Sequence, residues 1–379
     1  MHRFIGWTLM VAMVTGLMGI PLCFGQADDG PLRVAVAGLV HGHVAGFLGP
    51  ALKRDDIKIV GISEADQGLA ARYASEFKLD KSLLHRDVEE MLAKVKPQAL
   101  LVFTDTRDHR KMVEAAVRHR VAVMMEKPLA LSVEDALAIQ RAAESAKIPV
   151  LVNYETTWYP NTTAMHELVR EGALGDIRKV VVHDGHRGPK EIGVPPEFLA
   201  WLTDPARNGA GALFDFGCYG ANLMTWLMNG EAPTSVTAVT QQIKPEVYRR
   251  VDDEATIVLT YTQAQAIIQA SWNWPFDRKD MEVYGATGQA ITVGRGELRV
   301  RRAGESQEKL VTAPALRAPD DDPISHLIAV VKGKVRPGGL SALDTNVMVT
   351  RILEAARESA RTGRVVRLGK PNRQFPTAE

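Results

Sequence analysis

Short apolar runs alternate with amphipathic, helix-forming stretches from residue 31 to about residue 150. No other feature of the chain constrains its fold as strongly. The runs are RVAVAGL (33–39), IKIVGIS (57–63), QALLVFTD (98–105), VAVMMEKP (121–128) and PVLVNY (149–154). Between them stand HVAGFLGPALKR, QGLAARYASEFK, VEEMLAKV, HRKMVEAAVRHR and SVEDALAIQRAAESAK. The last of these opens on Ser132, an N-cap residue, with Asp135 where a capping box carries Glu or Gln. Parallel neighbours need a crossover, so the alternation predicts an α/β fold with a doubly wound parallel sheet.

The pattern changes after about residue 155. NTTAMHELVREGALG reads as a helix ending at Gly175. Strand-like runs with antiparallel spacing follow, from DIRKVVVHDGH to GELRVRRA. They predict a second, α+β domain (153–368) with an open, mainly antiparallel sheet, after a first domain spanning 31–152. A long amphipathic helix is expected at about 341–362. GVPPEFLAWLTDPARNG (193–209) reads as an irregular connection. A chain of 379 residues is long enough for two such cores.

Two classes of function fall away on composition. Lys+Arg 46 against Asp+Glu 45 leaves a net charge of +1, so no basic footprint for nucleic acid exists. After the N-terminal segment, no run is long and apolar enough for a membrane span. That segment begins Met1-His2-Arg3, runs apolar from Ile5 to Leu22 and ends in the small residues of CFGQA. It reads as a cleaved signal peptide (1–25), hence export to the periplasm or beyond. An uncleaved anchor is the alternative. Cleavage removes Cys23 and leaves Cys218 as the one thiol.

Ligands bind doubly wound sheets at the carboxyl ends of the strands. The first strand runs into GLVHGHV. Gly38 opens the turn, but Val40 and His43 stand at the second and third glycine positions of G-x-G-x-x-G, and Gly42 comes one place early. The following helix N-terminus suits a pyrophosphate, with His43 able to donate to a phosphate oxygen. Glu64, at the end of the second strand, stands at about the interval for an acid on the ribose hydroxyls. Its charge favours NAD, with NADP the alternative. Glu126, Lys127 and Pro128 mark the mouth of the fourth strand.

EKPLALSVEDA after such a half resembles the Gfo/Idh/MocA oxidoreductases. TDTRDH stands where that family carries Thr-Pro-x-x-x-His, with Asp105 in place of Pro. VNYETTWYP, NGAGALFDFGCYGANLMTWLMNG, EVYGATGQA and ARESARTGRVVRL are also similar, so the likeness covers nearly all of 32–368. It implies a Rossmann domain binding NAD through Gly38, Val40, Gly42, His43, Glu64, Thr104, His109, Glu126 and Lys127. It implies Lys127 beside the nicotinamide and Asp215 orienting the catalytic groups. Tyr219 stands where most members carry His, as in the similar glucose–fructose oxidoreductase branch.

Asp215 and Tyr219 are four apart, which predicts one helical face, and Gly217 and Gly220 are expected to leave that face open. A nearby Lys127 ammonium is expected to lower the Tyr219 phenol toward use as an acid/base. Tyr154, Trp158 and His186 are the substrate-binding candidates. His41, His43, His183 and His186 show no convincing metal-ligand spacing.

The combined reading is an exported NAD(P)-dependent oxidoreductase acting on a sugar, polyol or related CH–OH substrate. A redox-neutral NAD-dependent glycosidase and a non-catalytic sugar or nucleotide binder are the alternatives. An exposed sheet face predicts a homodimer or homotetramer.

Overall fold

The computed structural model describes residues 30–369. The proposed signal peptide, with Cys23, lies outside the described residues. Six parallel strands form the first sheet: β1 (Leu32–Ala37), β2 (Ile57–Ser63), β3 (Leu84–His85), β4 (Ala99–Val102), β5 (Ala122–Glu126) and β6 (Val150–Asn153). Their spatial order is β3-β2-β1-β4-β5-β6, which puts the switch point between β1 and β4. The connecting helices are α1 (Val44–Ala51), α2 (Gln67–Glu76), α3 (Val88–Val95), α4 (His109–His119) and α5 (Val133–Ala146). The two-residue β3 is too short to carry a periodic signal.

Local chemistry sets the helix starts. Asp66 and Asp87 each accept two backbone N–H groups at the head of their helices. Ser132 accepts from the Asp135 N–H at 3.1 Å, and its own hydroxyl donates to the Asp135 carboxylate at 2.8 Å.

The rest of the chain builds around a nine-stranded sheet. After α6 (Pro160–Arg170) and β7 (Ile177–Gly185) come α7 (Pro196–Leu202), α8 (Pro205–Asn208), α9 (Ala212–Asp215) and α10 (Gly217–Leu227). Strands β8 (Ser235–Gln241), β9 (Glu254–Thr260), β10 (Gln265–Ser271), β11 (Arg278–Gly285), β12 (Gly288–Val293), β13 (Glu297–Arg302) and β14 (Lys309–Thr312) follow. Helices α11 (Pro323–Val331) and α12 (Leu343–Thr362) precede a short β15 (Val366–Arg367). The order is β14-β13-β12-β11-β7-β10-β9-β8-β15. All contacts are antiparallel except β7 with β10.

Several boundaries differ from the sequence reading. Helix α6 stops at Arg170, because the chain turns through Gly172 and Gly175, both at positive φ. The supposed irregular connection holds α7 and α8, each opening on a proline at its first turn. Helix α11 was not anticipated. It lies late in the chain but buries Ile324, Leu327 and Val330 with Leu32, Val34 and Leu48 of the first core.

The helix carrying Asp215 is broken at Phe216, so Asp215 closes α9 and Tyr219 sits in the first turn of α10. The glycines there do not face a ligand. A Cβ on Gly220 would lie 2.4 Å from Ile268 Cγ2, and one on Gly217 3.0 Å from Ile257 Cδ1. They let α10 lie close on β9 and β10.

Candidate active site at the mouth of the parallel sheet

The turn after β1 is built for close approach. Gly38 has φ +81°, and a Cβ there would lie 2.7 Å from Thr104 Cγ2. A side chain is excluded on both counts. The buried Glu64 carboxylate accepts from the Leu39 N–H at 2.8 Å and the Asp66 N–H at 2.9 Å, which fixes it against the turn. Each oxygen keeps further acceptor capacity. A cleft of about 200 Å³ beside it is lined by Gly38, Val40, Glu64, Thr104, Asp105 and Arg207.

The second domain covers this turn. Trp201 Nε1–H donates to the Val40 carbonyl at 3.1 Å, and Phe198 packs where Gly42 lacks a Cβ. Arg207 is ion-paired to Asp105. Asp105 also accepts from the Asp108 N–H at the head of the next turn, which accounts for the acid in place of proline.

At the end of β5, Glu126 and Lys127 enter different surroundings. Lys127 Nζ donates to Asp215 Oδ1 at 2.6 Å and to the Asp215 carbonyl at 3.0 Å, leaving one of its three N–H bonds. Both side chains are buried. Burial pushes the Lys127 amine down, but Asp215 outweighs it and holds the ammonium above its usual range. Burial likewise opposes ionisation of Asp215, and Lys127 holds it below the usual carboxylate range. Trp272 Nε1–H donates to its second oxygen at 3.0 Å.

Tyr219 stands behind this pair, 1 % exposed. Lys127 Nζ is 5.0 Å and Lys279 Nζ 4.5 Å from its ring centroid, and Lys279 reaches its hydroxyl at 3.5 Å. The expected lowering of the phenol by Lys127 does not occur. Burial pushes it well above its usual value, and the Asp184 and Glu155 carboxyls act in the same direction.

On the other side, Glu126 is buried beneath a cleft of about 810 Å³. His43 Nδ1 lies 3.0 Å from Glu126 Oε2, and Asn153 Nδ2–H donates to Oε1 at 3.1 Å. Burial raises the Glu126 carboxyl, but His43, His41 and the Asn153 amide outweigh it and hold it far below its usual range. Trp158 Nε1–H donates to Asn153 Oδ1 at 2.9 Å. Trp158, Glu155 and Arg295 line the same cleft.

Three further candidates do not line either cleft. Tyr154 is 0 % exposed and packs edge-on to Tyr219 at 5.3 Å, so it is a core residue. His109 is buried, with Nδ1 3.0 Å from the Pro128 carbonyl, where it braces the turn after Lys127 instead of a cofactor. His186 lies beyond Asp215, edge-on to Phe216 at 4.8 Å, with Nδ1 accepting from the Gly188 N–H.

Sequence reading missed Lys279, Glu155, Arg207 and, as a site residue, Asp184. Lys279 pairs with Glu155 at 2.5 Å and stands in register with Asp184. Burial pushes the Asp184 carboxyl well up, and its Oδ1 makes no hydrogen bond among the described residues. The pairing of β7 with β11 brings Lys279 and Asp184 together.

A six-stranded parallel sheet with a glycine turn, an acid on the second strand and a buried lysine at its mouth defines a two-domain dinucleotide-dependent oxidoreductase. The chain belongs to the GFO/IDH/MocA oxidoreductases. Residues 32–154 match the oxidoreductase family's NAD-binding Rossmann fold, and 162–291 match the GFO/IDH/MocA C-terminal domain. D-apiose dehydrogenase of Paraburkholderia graminis is 25 % identical over 340 residues, 85 % of this chain and 86 % of the relative. 1,5-anhydro-D-fructose reductase of Ensifer adhaerens is 26 % identical over 273 residues, 68 % and 77 % of the two chains. The fold matches an inositol dehydrogenase homologue from Azotobacter vinelandii complexed with NAD+ (TM-score 0.77, 18 % identity, 89 % and 98 % covered). It also matches aldose-aldose oxidoreductase from Caulobacter crescentus (TM-score 0.74, 23 % identity, 89 % and 100 % covered).

Proposed function

We propose that this chain transfers hydride between NAD and the CH–OH carbon of a sugar, polyol or related small molecule. The observation that carries the reading is the desolvated Lys127–Asp215 pair at the mouth of an NAD-binding sheet. NAD, when bound, supplies the hydride acceptor or donor. Gly38, Val40, Glu64 and Thr104 would hold its adenosine side, where Glu64 opposes a 2′-phosphate. The Lys127 ammonium stabilises negative charge that develops on the substrate oxygen, in a site dry enough for that charge to count. Asp215 positions Lys127. Tyr219 packs behind the ammonium and, as a phenol held protonated, is a poor base.

The test is to denature protein purified from its native compartment and identify released dinucleotide by chromatography. A panel of aldoses and polyols is then screened for NAD reduction. Released or added NAD, preferred to NADP, with Lys127→Met abolishing reduction, is the expected result. Preference for NADP would overturn the role of Glu64.

Two further readings rest on other features. The basic start, apolar run and small-residue end of residues 1–25 support export, and the N-terminal sequence of the mature protein tests it. Among the described residues no helix is long and apolar enough to cross a membrane. Part-buried Val181, Val258 and Ile267 on the outer face of the second sheet support a homodimer or homotetramer, which light scattering would measure.

A further inference from the structure

The cluster on Lys127 leaves a chemical requirement unmet. Oxidation of a hydroxyl needs a group that accepts its proton, and both Lys127 and Tyr219 are held protonated. The opposite side of the β5 end offers one. Tryptophan Nε1 can only donate, so the Asn153 atom facing Trp158 is its oxygen. The Asn153 amide nitrogen therefore faces Glu126 and fixes that carboxylate as an acceptor. An ionised Glu126 Oε2 in turn requires the proton of a neutral His43 to sit on Nδ1. Nε2 then carries a lone pair, and no protein group among the described residues is paired with it.

The ring is placed to use that lone pair. His43 is 47 % exposed and lines the cleft of about 810 Å³ together with Asn153, Trp158 and Glu155. Its backbone is pinned, because the His43 N–H donates to His41 Nδ1 at 3.2 Å. His41 is itself buried against Phe198 and Trp201, and burial pushes it well below the usual imidazole value. The ligand atoms of His41, His43 and Glu126 lie within 4.8 Å of one another, as a metal site requires. Yet His41 Nδ1 and both Glu126 oxygens already accept hydrogen bonds.

We propose that His43, oriented by Glu126, is the acid–base group of this cleft, a proposal that rests on the hydride-transfer reading above. In oxidation the substrate C–H bond gives its hydride to the nicotinamide and the O–H bond breaks. Its proton goes to His43 Nε2, the C–O bond becomes C=O, and Glu126 stabilises the imidazolium. Reduction reverses each step. The departure from the glycine motif at residue 43 thereby supplies the imidazole that position 219 lacks.

The test uses the full chain and the panel sugar that reduces NAD fastest. His43→Ala should lower kcat by about 10²–10⁴-fold. NAD affinity, read by titration, should be unchanged, and added imidazole should restore part of kcat. His43→Gln controls for folding and should be equally slow. A variant that loses NAD affinity but keeps kcat overturns the proposal and makes His43 a phosphate contact. So does a bound metal that Glu126→Gln releases. If no sugar reduces NAD with the wild-type chain, the functional reading fails separately. The dyad is then judged by long-range ¹H–¹⁵N spectra of labelled histidine. The Nδ1–H tautomer at His43, lost in Glu126→Gln, supports it, and the Nε2–H tautomer in the wild type overturns it.

Discussion

Glu126 and Lys127 are sequence neighbours, yet they serve opposite environments. Successive side chains at a strand end point to opposite sides, so one peptide bond separates a dry ion pair from the floor of a wet cleft. On the Lys127 side, charge is neutralised by Asp215 and walled in by Tyr219, Phe216 and Trp272. On the Glu126 side, a buried carboxylate is matched by an imidazole half in solvent. Charges held without water act as fixed dipoles on a reacting oxygen. A charge partner in contact with water can exchange a proton.

Breaking the dry side should have the largest effect. Lys127→Met leaves the Asp215 carboxylate buried without its partner, which costs about 3–5 kcal/mol. Urea unfolding of the variant measures this, and adding Asp215→Leu should recover most of the loss. A Lys127→Met protein as stable as wild type would show that the pair is not desolvated.

The packing beneath that side comes next. Gly220→Ala forces a methyl into Ile268 and should cost about 1–3 kcal/mol. Ile268→Ala in the same chain removes both γ carbons that the methyl would meet, so the double variant should lose less than the sum of the two single changes, with NAD affinity unchanged throughout.

The wet side should answer to pH. Burial opposes ionisation of Glu155, but Lys279, the Tyr159 hydroxyl and Arg295 together outweigh it and hold the carboxyl down to about 2, below its ordinary 4.5. A depressed acid contributes stability above its unfolded pKa and loses it as pH falls through the folded one. Thermal unfolding between pH 4.5 and about 2 should therefore be less pH-dependent in Glu155→Gln than in wild type. An identical slope would mean that the contacts of Glu155 to Lys279, Tyr159 and Arg295 are not formed in solution.

Tyr219→Phe should be the mildest change. It removes one long contact at 3.5 Å to Lys279, and the stability loss should stay near about 1 kcal/mol. A far larger loss would show that the hydroxyl's contact to Lys279 is a full hydrogen bond.

What could be read from the chain followed from local rules. Alternating apolar runs and capping residues such as Ser132 placed β1, β2, β4, β5 and β6 and their helices, because period and caps are properties of a few neighbouring residues. Gly38, Glu64 and Lys127 were legible because strand ends mark the ligand edge of a doubly wound sheet. The misreadings share one cause. Whether Tyr154, Tyr219 or Gly220 meets solvent or another side chain depends on elements distant in sequence, and here those elements bury all three.

The sequence by itself determined a parallel dinucleotide-binding sheet, a second mainly antiparallel domain and the residues at the sheet's mouth. Tertiary structure decided which of those residues are dry. It joined Asp105 to Arg207, Tyr219 to Lys279 and His43 to Glu126, pairs 102, 60 and 83 residues apart. Periodicity carries no information over such separations. Desolvation and partnership, which move Lys127, Asp215, Tyr219 and Glu126 away from their ordinary pKa values, exist only once the chain has closed on itself.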